Sequence, residues 1–519
     1  MVSNRPDNGN KSQGLNAGKK PSGERRRVPD KKVLPNGAPK KANPNKPVNN
    51  DKPSSELSKT SEVDEYLEER IPAKKEKRDK PVTEKIQENL INDALIYDDE
   101  KPVFKLRDPS WQSNIPLVLF LFAIVVYGLI VLYSVSAPAG YINSKLTSSA
   151  FFVFSQLKFT LVGLALCVVV NFIPIDFFKN RLIMAGAYLV SAGLIIVTAL
   201  FGAEKQGARR WLTVGGTDFQ TSEVFKICLV IVLAIYRVMI MNFQKKGKLK
   251  ASDPKNQYLK DAFFEFILPV GMIVFVDAII LVQPHLSCFL IVGVVTFVCF
   301  LVSGIRLRSW IIGMGFYILV LLAVVAIVFA VPSLRTKAQD KIEKNFAHVF
   351  KRVDIYTQDE DQEMTDQEKD ESLQVDRAKD AIGSGGWMGT GLGNSRYKYS
   401  YVSEAHNDYI FSIYVEETGM VGGTLLILTF LLFLFMGFRI AYRAKDVFCR
   451  IIAIGYTFLI ALEAMWNIGV ELTVLPATGI TLPFFSYGGT AQILLLSGYA
   501  MILCVARSGV VSKTKNGGN

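Results

Sequence analysis

The feature of this sequence that most constrains its fold is a series of apolar blocks, each roughly twenty residues long. An α-helix needs about twenty apolar residues to cross the hydrocarbon core of a bilayer. The predicted spans are 116–137, 151–172, 182–201, 223–242, 263–283, 287–303, 309–331, 408–437, 450–470 and 484–506. The pattern therefore predicts an all-α polytopic membrane protein with about ten transmembrane helices.

Three regions of different composition divide the chain. Residues 1–112 are polar, rich in Lys, Pro and Asn, and too poor in apolar side chains to form a core, which predicts a disordered tail. Residues 113–508 carry the apolar blocks and form the predicted transmembrane domain, with a large extracytoplasmic loop at 332–407 between the seventh and eighth spans. Residues 509–519 are a short polar end, predicted to be a second cytoplasmic tail.

The positive charge of the chain predicts its orientation. The net charge is +12 at pH 7, and much of it lies in the N-terminal tail and in the short loops after the second, fourth, sixth and eighth spans. Lys and Arg beside spans favour the cytoplasmic face, so both termini are expected in the cytoplasm. Because membrane topology accounts for the basic residues, we expect no nucleic-acid partner.

The cysteines do not predict a metal site or a disulfide framework. All six lie in or beside apolar blocks, and none forms a CxxC or CxxxC spacing. Cysteine in such surroundings behaves as a small buried hydrophobe. The six residues are Cys167, Cys228, Cys288, Cys299, Cys449 and Cys504.

Basic residues also occur before the fourth span, on the predicted outer face, where the charge rule does not favour them. Arg209 and Arg210 precede a helix start that carries Glu223 and Lys226, three residues apart and hence on one helical face. One interpretation is an interfacial salt bridge with Ser222 as the helix cap. The other is a polar patch with excess positive charge that grips the phosphate of a lipid-linked ligand.

Carboxylates at the start of the eighth span also have two interpretations. Asp408 could complement the helix dipole behind an Asn407 cap, or it could be a general base at the outer interface. Glu416 and Glu417 lie about two turns deeper, where adjacent carboxylates are costly unless they are paired or hydrated. They indicate either a hydrated cavity or a structural pair with Lys or Arg of a neighbouring helix.

Two glycine-containing segments interrupt the outer part of the domain. Residues 383–394 are glycine-rich but match neither a P-loop nor a dinucleotide fingerprint, so they predict tight turns in an ordered outer loop packed on the bundle. Residues 478–489 contain Pro483 and paired glycines ahead of the tenth span. They predict a broken, re-entrant entry, which is tolerated at membrane depth where the backbone is buried or lines a cavity.

Taken in order along the chain, these segments resemble the SEDS family (shape, elongation, division and sporulation), which includes RodA, FtsW and SpoVE. The resemblance covers roughly residues 115–508, and its specificity lies in several motifs occurring in the family's order. The matching motifs are 207–212, 219–226, 381–386 with 391–394, 404–411 and 479–489.

The resemblance implies a peptidoglycan glycosyltransferase that polymerises lipid II at the outer face of the bacterial plasma membrane, for elongation, division or sporulation. It implies a class B penicillin-binding protein transpeptidase as partner, and it leaves a divalent cation, Mg²⁺ or Mn²⁺, open as a cofactor, although no ligand motif is visible. The family's essential carboxylate falls on Asp408. The implied substrate-binding residues are Arg210, Gln220, Glu223, Lys226, Glu404 and His406.

The chain also departs from the family pattern. His285 stands where the family usually has a carboxylate, and Ser287 where it has Gly. Two other functions are compatible with the span pattern alone. One is a transporter that flips lipid-linked precursors, and the other is a non-catalytic scaffold for a penicillin-binding protein.

Overall fold

The structure is a computed structural model. It describes residues 115–142, 148–205, 208–214, 217–283, 285–331, 336, 366–399, 405–475 and 479–508. The predicted tails at 1–112 and 509–519 lie outside the described residues, as do Glu404 and much of the loop at 332–407.

Helices make up most of the described chain. In chain order they are α1 (Ile115–Ile142), α2 (Phe151–Phe172), α3 (Arg181–Phe201), α4 (Thr221–Lys245), α5 (Pro254–Ala262), α6 (Leu268–Val282), α7 (Leu286–Val302), α8 (Leu307–Ala330), α9 (Asp366–Ser384), α10 (Ile410–Tyr442), α11 (Val447–Glu471) and α12 (Gly489–Ser508). A 3-10 turn spans Ile175–Lys179, and a π-helical turn at Phe263–Ile267 joins α5 to α6.

The lengths of these helices confirm the predicted fold class. Within the described residues, nine helical segments are long and apolar enough to cross a membrane, with Pro254–Val282 counted as one. The tenth apolar helix, α7, has 17 residues, which corresponds to about 25 Å. The chain is therefore an all-α polytopic membrane protein, and α7 is the short member of its set of spans.

A small antiparallel sheet connects α3 to α4, in a segment for which the sequence predicted no strand. Its strands are β1 (Ala203–Lys205), β2 (Ala208–Val214) and β3 (Thr217–Gln220), in the order β1-β2-β3. Trp211 of β2 is paired with Gln220 of β3, the residue directly before α4. Strands this short carry little periodic signal, because three to seven residues hold only one to three alternations.

The helices differ sharply in how deeply they are buried. α4 and α11 lie at the centre of the bundle, and most of their side chains are buried. α8 is apolar along its whole length, yet only Ser309 and Gly313 are buried. A helix with apolar side chains on every face is typical of one whose neighbours are lipid tails.

Buried ion pairs join the short loops at the predicted cytoplasmic end. Lys179 Nζ lies 2.9 Å from Asp446 and 2.7 Å from Asp176. Burial lowers the pKa of Lys179, but the attraction of Asp446 and Asp176 outweighs it, and the pKa rises above its ordinary value. Arg306 likewise binds Glu265 of the π-helical turn at 3.0 Å. These two basic residues, predicted as topology signals, therefore also hold helices together.

Helix α10 is broken at Gly419, where φ is +74°. The break accommodates residues 385–394, called the glycine loop from here, whose backbone packs against the interrupted turn. Glycine is required on both sides, because a β-carbon on Gly389 or on Gly419 would lie within 2.3 Å of a backbone oxygen. Four hydrogen bonds join the two segments: Thr390 N to Glu416 O (2.9 Å), Gly391 N to Glu417 O (2.9 Å), Met420 N to Gly386 O (2.9 Å) and Val421 N to Trp387 O (3.2 Å).

The side chains of Glu416 and Glu417 anchor the same region. Glu416 accepts hydrogen bonds from the backbone N–H of Arg396 at 2.8 Å and from the hydroxyl of Ser395. Glu417 forms a buried ion pair with Lys398 at 2.7 Å. Glu417 is therefore structurally paired, as one of the two interpretations predicted, but its partner Lys398 lies in the outer loop and not on a neighbouring helix. The predicted packing of the glycine loop on the bundle is confirmed.

Candidate functional site

The candidate site lies at the end of the bundle where four predicted outer segments meet. Arg210 of β2 donates from Nε to the backbone oxygen of Gln283, between α6 and α7, at 3.3 Å. Gln283 in turn donates to the backbone oxygen of Ile195 on α3 at 3.0 Å. On the opposite side, the backbone N–H of Tyr487 donates to His406 O at 2.9 Å. These bonds bring the sheet, the α6–α7 turn, the turn before α10 and the segment before α12 to one end.

A narrow cavity of about 20 Å³ lies between these segments. Its polar lining comes from the start of α4 and the start of α7, and residues 479–481 line its other side. Three predicted substrate-binding residues, Gln220, Glu223 and Lys226, line this one cavity. The spacing of three residues between Glu223 and Lys226 placed these two on one helical face, and the fold turns that face inward.

Lys226 is the central charge of the cavity. It is 3% exposed and lies 2.8 Å from Glu223. It also donates to Glu463 of α11, a residue that the sequence interpretation missed. The salt-bridge interpretation of Glu223 and Lys226 is therefore right, but Ser222 is not the cap, because α4 has Gln220 at its N-cap position without a side-chain bond.

Glu463 also changes the charge predicted for this patch. The sequence predicted an excess of positive charge, whereas Lys226 is held between two carboxylates. Arg210 is the further cation at this end, and it is half-buried, while Arg209 is exposed on the sheet. A signal for Glu463 existed in the sequence, since a carboxylate in the middle of a span is costly and calls for a partner.

Asp408 lies at the edge of the same cavity. A β-carbon placed on Gly479 would stand 3.4 Å from Asp408 Oδ2, and Gly479 lines the cavity. Asn467 of α11 links the two segments: its Nδ2 donates to Asp408 O at 2.9 Å and to Ile480 O at 2.8 Å. The Asp408 carboxylate is therefore placed next to the cavity that contains Lys226.

The start of α10 is capped by a residue far away in sequence. The carboxylate of Glu471, at the end of α11, accepts from Phe411 N at 3.2 Å and from Ser412 N at 2.6 Å. The predicted Asn407 cap is wrong, because the N-cap position is Tyr409 and it makes no side-chain cap bond. Since Glu471 satisfies the first N–H groups of the helix, Asp408 is not needed to cap it.

His406 takes a different position from the other predicted site residues. Its ring packs against Phe152 of α2, with ring centroids 4.1 Å apart, and against Tyr487, 6.0 Å apart. It does not line the cavity that contains Lys226. Glu404, two residues earlier, lies outside the described residues. The structure thus brings Gln220, Glu223, Lys226 and Asp408 together, with Arg210 adjacent and His406 on the α2 side.

The segment before α12 confirms the predicted broken entry. Residues 482–486 are buried and not helical, and Phe484 has a φ of +69°. The segment packs closely on α1, because a β-carbon on Gly128 would stand 2.2 Å from Phe484 O. This buried, irregular backbone positions Gly479 and Ile480 at the cavity.

The described residues contain no group of three or more His, Cys, Asp or Glu side chains placed to hold a metal ion. The six cysteines are all free thiols, five buried and Cys228 half-buried. The divalent cation left open by the resemblance stays a prediction, and no chemical step is assigned to it below.

Comparisons with known proteins agree on one family. A family model described as "Cell cycle protein" and covering FtsW, RodA and SpoVE matches residues 115–510. The chain is 29% identical over 405 residues to stage V sporulation protein E of Bacillus subtilis, covering 76% of this chain and 97% of that protein. It is also 29% identical over 387 residues to the probable peptidoglycan glycosyltransferase FtsW of Bacillus subtilis, covering 74% and 88%.

One solved structure has the same fold over most of the chain. It comes from work on the structural coordination of polymerization and crosslinking by a peptidoglycan synthase complex. The match has a TM-score of 0.52 and 25% identity, and it covers 77% of this chain and 98% of that chain.

Proposed function

The chain belongs to the FtsW, RodA and SpoVE family of cell cycle proteins, and from this premise we propose that it polymerises lipid II into glycan strands at the outer face of the plasma membrane. The enzyme class follows from relatives that are named peptidoglycan glycosyltransferases. The observation that carries the proposal for this chain is the position of the Asp408 carboxylate beside Gly479, at the edge of the cavity that contains Lys226.

The proposed reaction joins two lipid-linked disaccharides. Asp408 acts as a general base that takes the proton of the 4-hydroxyl of one GlcNAc. The oxygen of that hydroxyl attacks C1 of the MurNAc on the other lipid, and undecaprenyl pyrophosphate leaves. A positioned base contributes about 10²–10⁴ in rate. Direct displacement assisted by one carboxylate inverts the anomeric carbon, by analogy with inverting glycosidases.

The leaving pyrophosphate needs positive charge and hydrogen-bond donors near it. Arg210 and Lys226 supply two cations at this end of the bundle, one half-buried and one buried. Arg210 is the stronger candidate for direct contact, since its guanidinium binds phosphate oxygens in pairs. Lys226 is already ion-paired with Glu223 and Glu463. Its role in the proposal is to set the charge of the cavity wall.

A penicillin-binding protein transpeptidase is the proposed partner. The solved structure with the same fold comes from a synthase complex that coordinates polymerization with crosslinking, which supports an assembly of this kind. The proposed orientation places both termini in the cytoplasm and the cavity on the outer face. The basic segments at 243–262 and 303–308, at the opposite end from the cavity, support it.

The test is polymerisation of lipid II by the purified full chain in detergent, with a class B penicillin-binding protein present. Asp408→Asn removes the base and keeps the size of the side chain, so glycan synthesis should fall by about 10²-fold or more. Asp380→Asn, an exposed carboxylate of α9, is the matched control and should polymerise at the wild-type rate.

Two outcomes contradict the proposal. Glycan synthesis at the native rate by Asp408→Asn would show that Asp408 is not the base. No glycan from the wild-type chain would favour a transporter or a scaffold, because detergent leaves no membrane to cross but removes nothing that an enzyme needs. Growth of cells that carry only Asp408→Ala would favour the scaffold in particular.

A further inference from the structure

His285 is a buried side chain of the cavity that the proposed mechanism does not use. It is the N-cap residue of α7, and its side chain makes no cap bond. It is 4% exposed, it lines the narrow cavity that contains Lys226, and its Nδ1 has no hydrogen-bond partner in the described part of the chain. A buried polar atom without a partner destabilises the folded chain, so its retention calls for a ligand.

Charged and titratable groups face His285 from several elements. Arg210 lies on the β2 side and Lys226 on the α4 side, and both are close enough to act on the imidazole. Glu223 and Glu463 pair with Lys226. Three further titratable groups lie near His285. They are Cys288 on α7, Asp277 on α6, which interacts electrostatically with Cys288, and Asp408 beside Gly479.

The imidazole is neutral in the absence of a ligand. Burial, followed by the repulsion of Arg210 and Lys226, lowers the pKa of His285 well below its ordinary value. A neutral imidazole presents one N–H and one lone pair. Arg210, Lys226 and the N-terminal end of α7 each disfavour a proton on this imidazole. A phosphate oxygen beside the ring would offset their repulsion and make the protonated imidazole stable.

We propose that His285 is a phosphate ligand of this cavity, which takes up one proton from solvent when a pyrophosphate group enters and donates an N–H to a phosphate oxygen. The inference rests on the proposed function and names the subsite for the leaving pyrophosphate. The helix N-terminus adds backbone donors on the same side, an arrangement that favours anions. A carboxylate at this position, as in the usual SEDS pattern, would repel the phosphate. The histidine therefore gives this chain a phosphate contact that the usual pattern lacks.

The experiment is calorimetric titration of the purified full chain in detergent with farnesyl pyrophosphate, in two buffers that differ in ionisation enthalpy. The difference between the two heats gives the number of protons taken up on binding. Farnesol, which has the same chain and no phosphate, is the control ligand. The wild-type chain should take up about one proton more than His285→Asn, and the proton balance of the ligand itself cancels in that difference.

Affinity gives a second readout. The folded-state pKa of His285 is low without ligand and raised with it, so binding strengthens as the pH falls through the raised value. Uptake of one proton changes the affinity about ten-fold per pH unit, so from pH 8 to pH 6 the affinity of the wild-type chain should rise by about 100-fold more than that of His285→Asn. His348→Asn, which removes another of the three histidines, should follow the wild type.

Equal proton uptake by the wild type and His285→Asn overturns the inference. Binding of farnesyl pyrophosphate to the wild type without any proton uptake overturns it as well. The second case needs no variant, and His285→Gln replaces His285→Asn if the latter does not fold. Lipid II polymerisation is measured on the same preparation. Polymerisation without His285-linked uptake overturns only this inference. Uptake without polymerisation leaves the phosphate subsite in place and overturns the proposed activity.

Discussion

Substitution of Gly389 by Ala tests whether the glycine loop is locked onto the break in α10. Gly389 has a φ of +77°, a left-handed conformation that costs Ala about 1–2 kcal/mol. The new β-carbon would stand 2.2 Å from Glu417 O and 2.6 Å from Gly419 N. Both are backbone atoms, so no side-chain rotation relieves the contact. The loop can accept Ala only by moving away from α10.

The size of the effect follows from the bonds that this movement breaks. The closest are Thr390 N to Glu416 O and Gly391 N to Glu417 O, both 2.9 Å. Each contributes about 0.5–1.5 kcal/mol. Together with the backbone strain, the loss of these two bonds should destabilise the packed glycine loop by about 2–5 kcal/mol. Because the ion pair of Glu417 lies beneath the same turn, the start of α10 should loosen with the loop.

Gly386→Ala is the matched control, because Gly386 also has a positive φ, +54°, but nothing lies within 4 Å of its β-carbon. It should cost only the backbone strain, about 1–2 kcal/mol. The assay is hydrogen exchange of the loop amides at 385–391, together with thermal unfolding in detergent. Similar protection and similar melting in Gly386→Ala and Gly389→Ala would refute the argument from close backbone contact.

Three further predictions concern buried charges. Lys398→Met leaves Glu417 buried and unpaired, which should cost about 3–5 kcal/mol in thermal unfolding. The double variant with Glu417→Gln should melt at a higher temperature than Lys398→Met. An equal or lower melting temperature of the double variant would contradict the pairing. Glu471→Ala leaves two buried N–H groups of α10 without an acceptor and should lower the stability by about 2 kcal/mol or more. Glu471→Gln keeps one acceptor oxygen and should lower it less. Equal melting temperatures of the two variants would argue against capping by Glu471. Because the pKa of Lys179 is raised in the folded state, its contribution is fully present below its unfolded value of about 10.4 and is lost as pH rises through the folded value. Melting curves between pH 9 and pH 12 should therefore show an alkaline loss of stability that is smaller in Lys179→Met, and equal losses would count against the ion pair with Asp446.

The helices of this protein could be predicted closely from local pattern. The span predicted at 151–172 is the helix Phe151–Phe172, and that predicted at 309–331 is Leu307–Ala330. Both follow from the length of apolar sequence that hydrocarbon requires, a local property. The sheet at Ala203–Gln220 was not predicted, because its pairing joins short segments whose local preferences are weak.

The candidate site was predicted only in part. The spacing of Glu223 and Lys226 and the position of Asp408 before a span were visible along the chain. Glu463 and Glu471 were missed, although one completes the charge balance of the cavity and the other caps α10. Both act on residues more than fifty positions away in the sequence.

The sequence by itself determined that the chain spans a membrane, where its apolar helices lie, and which family its motifs resemble. These properties depend on runs of about twenty residues and on local motif order. Only the tertiary structure decided which charges meet. It turned the Lys226 face inward against Glu463, placed the Glu471 carboxylate as the cap of α10, and left Nδ1 of His285 buried without a hydrogen-bond partner among the described residues. The physical reason is that buried charges interact through space, over distances that helix packing sets and sequence separation does not.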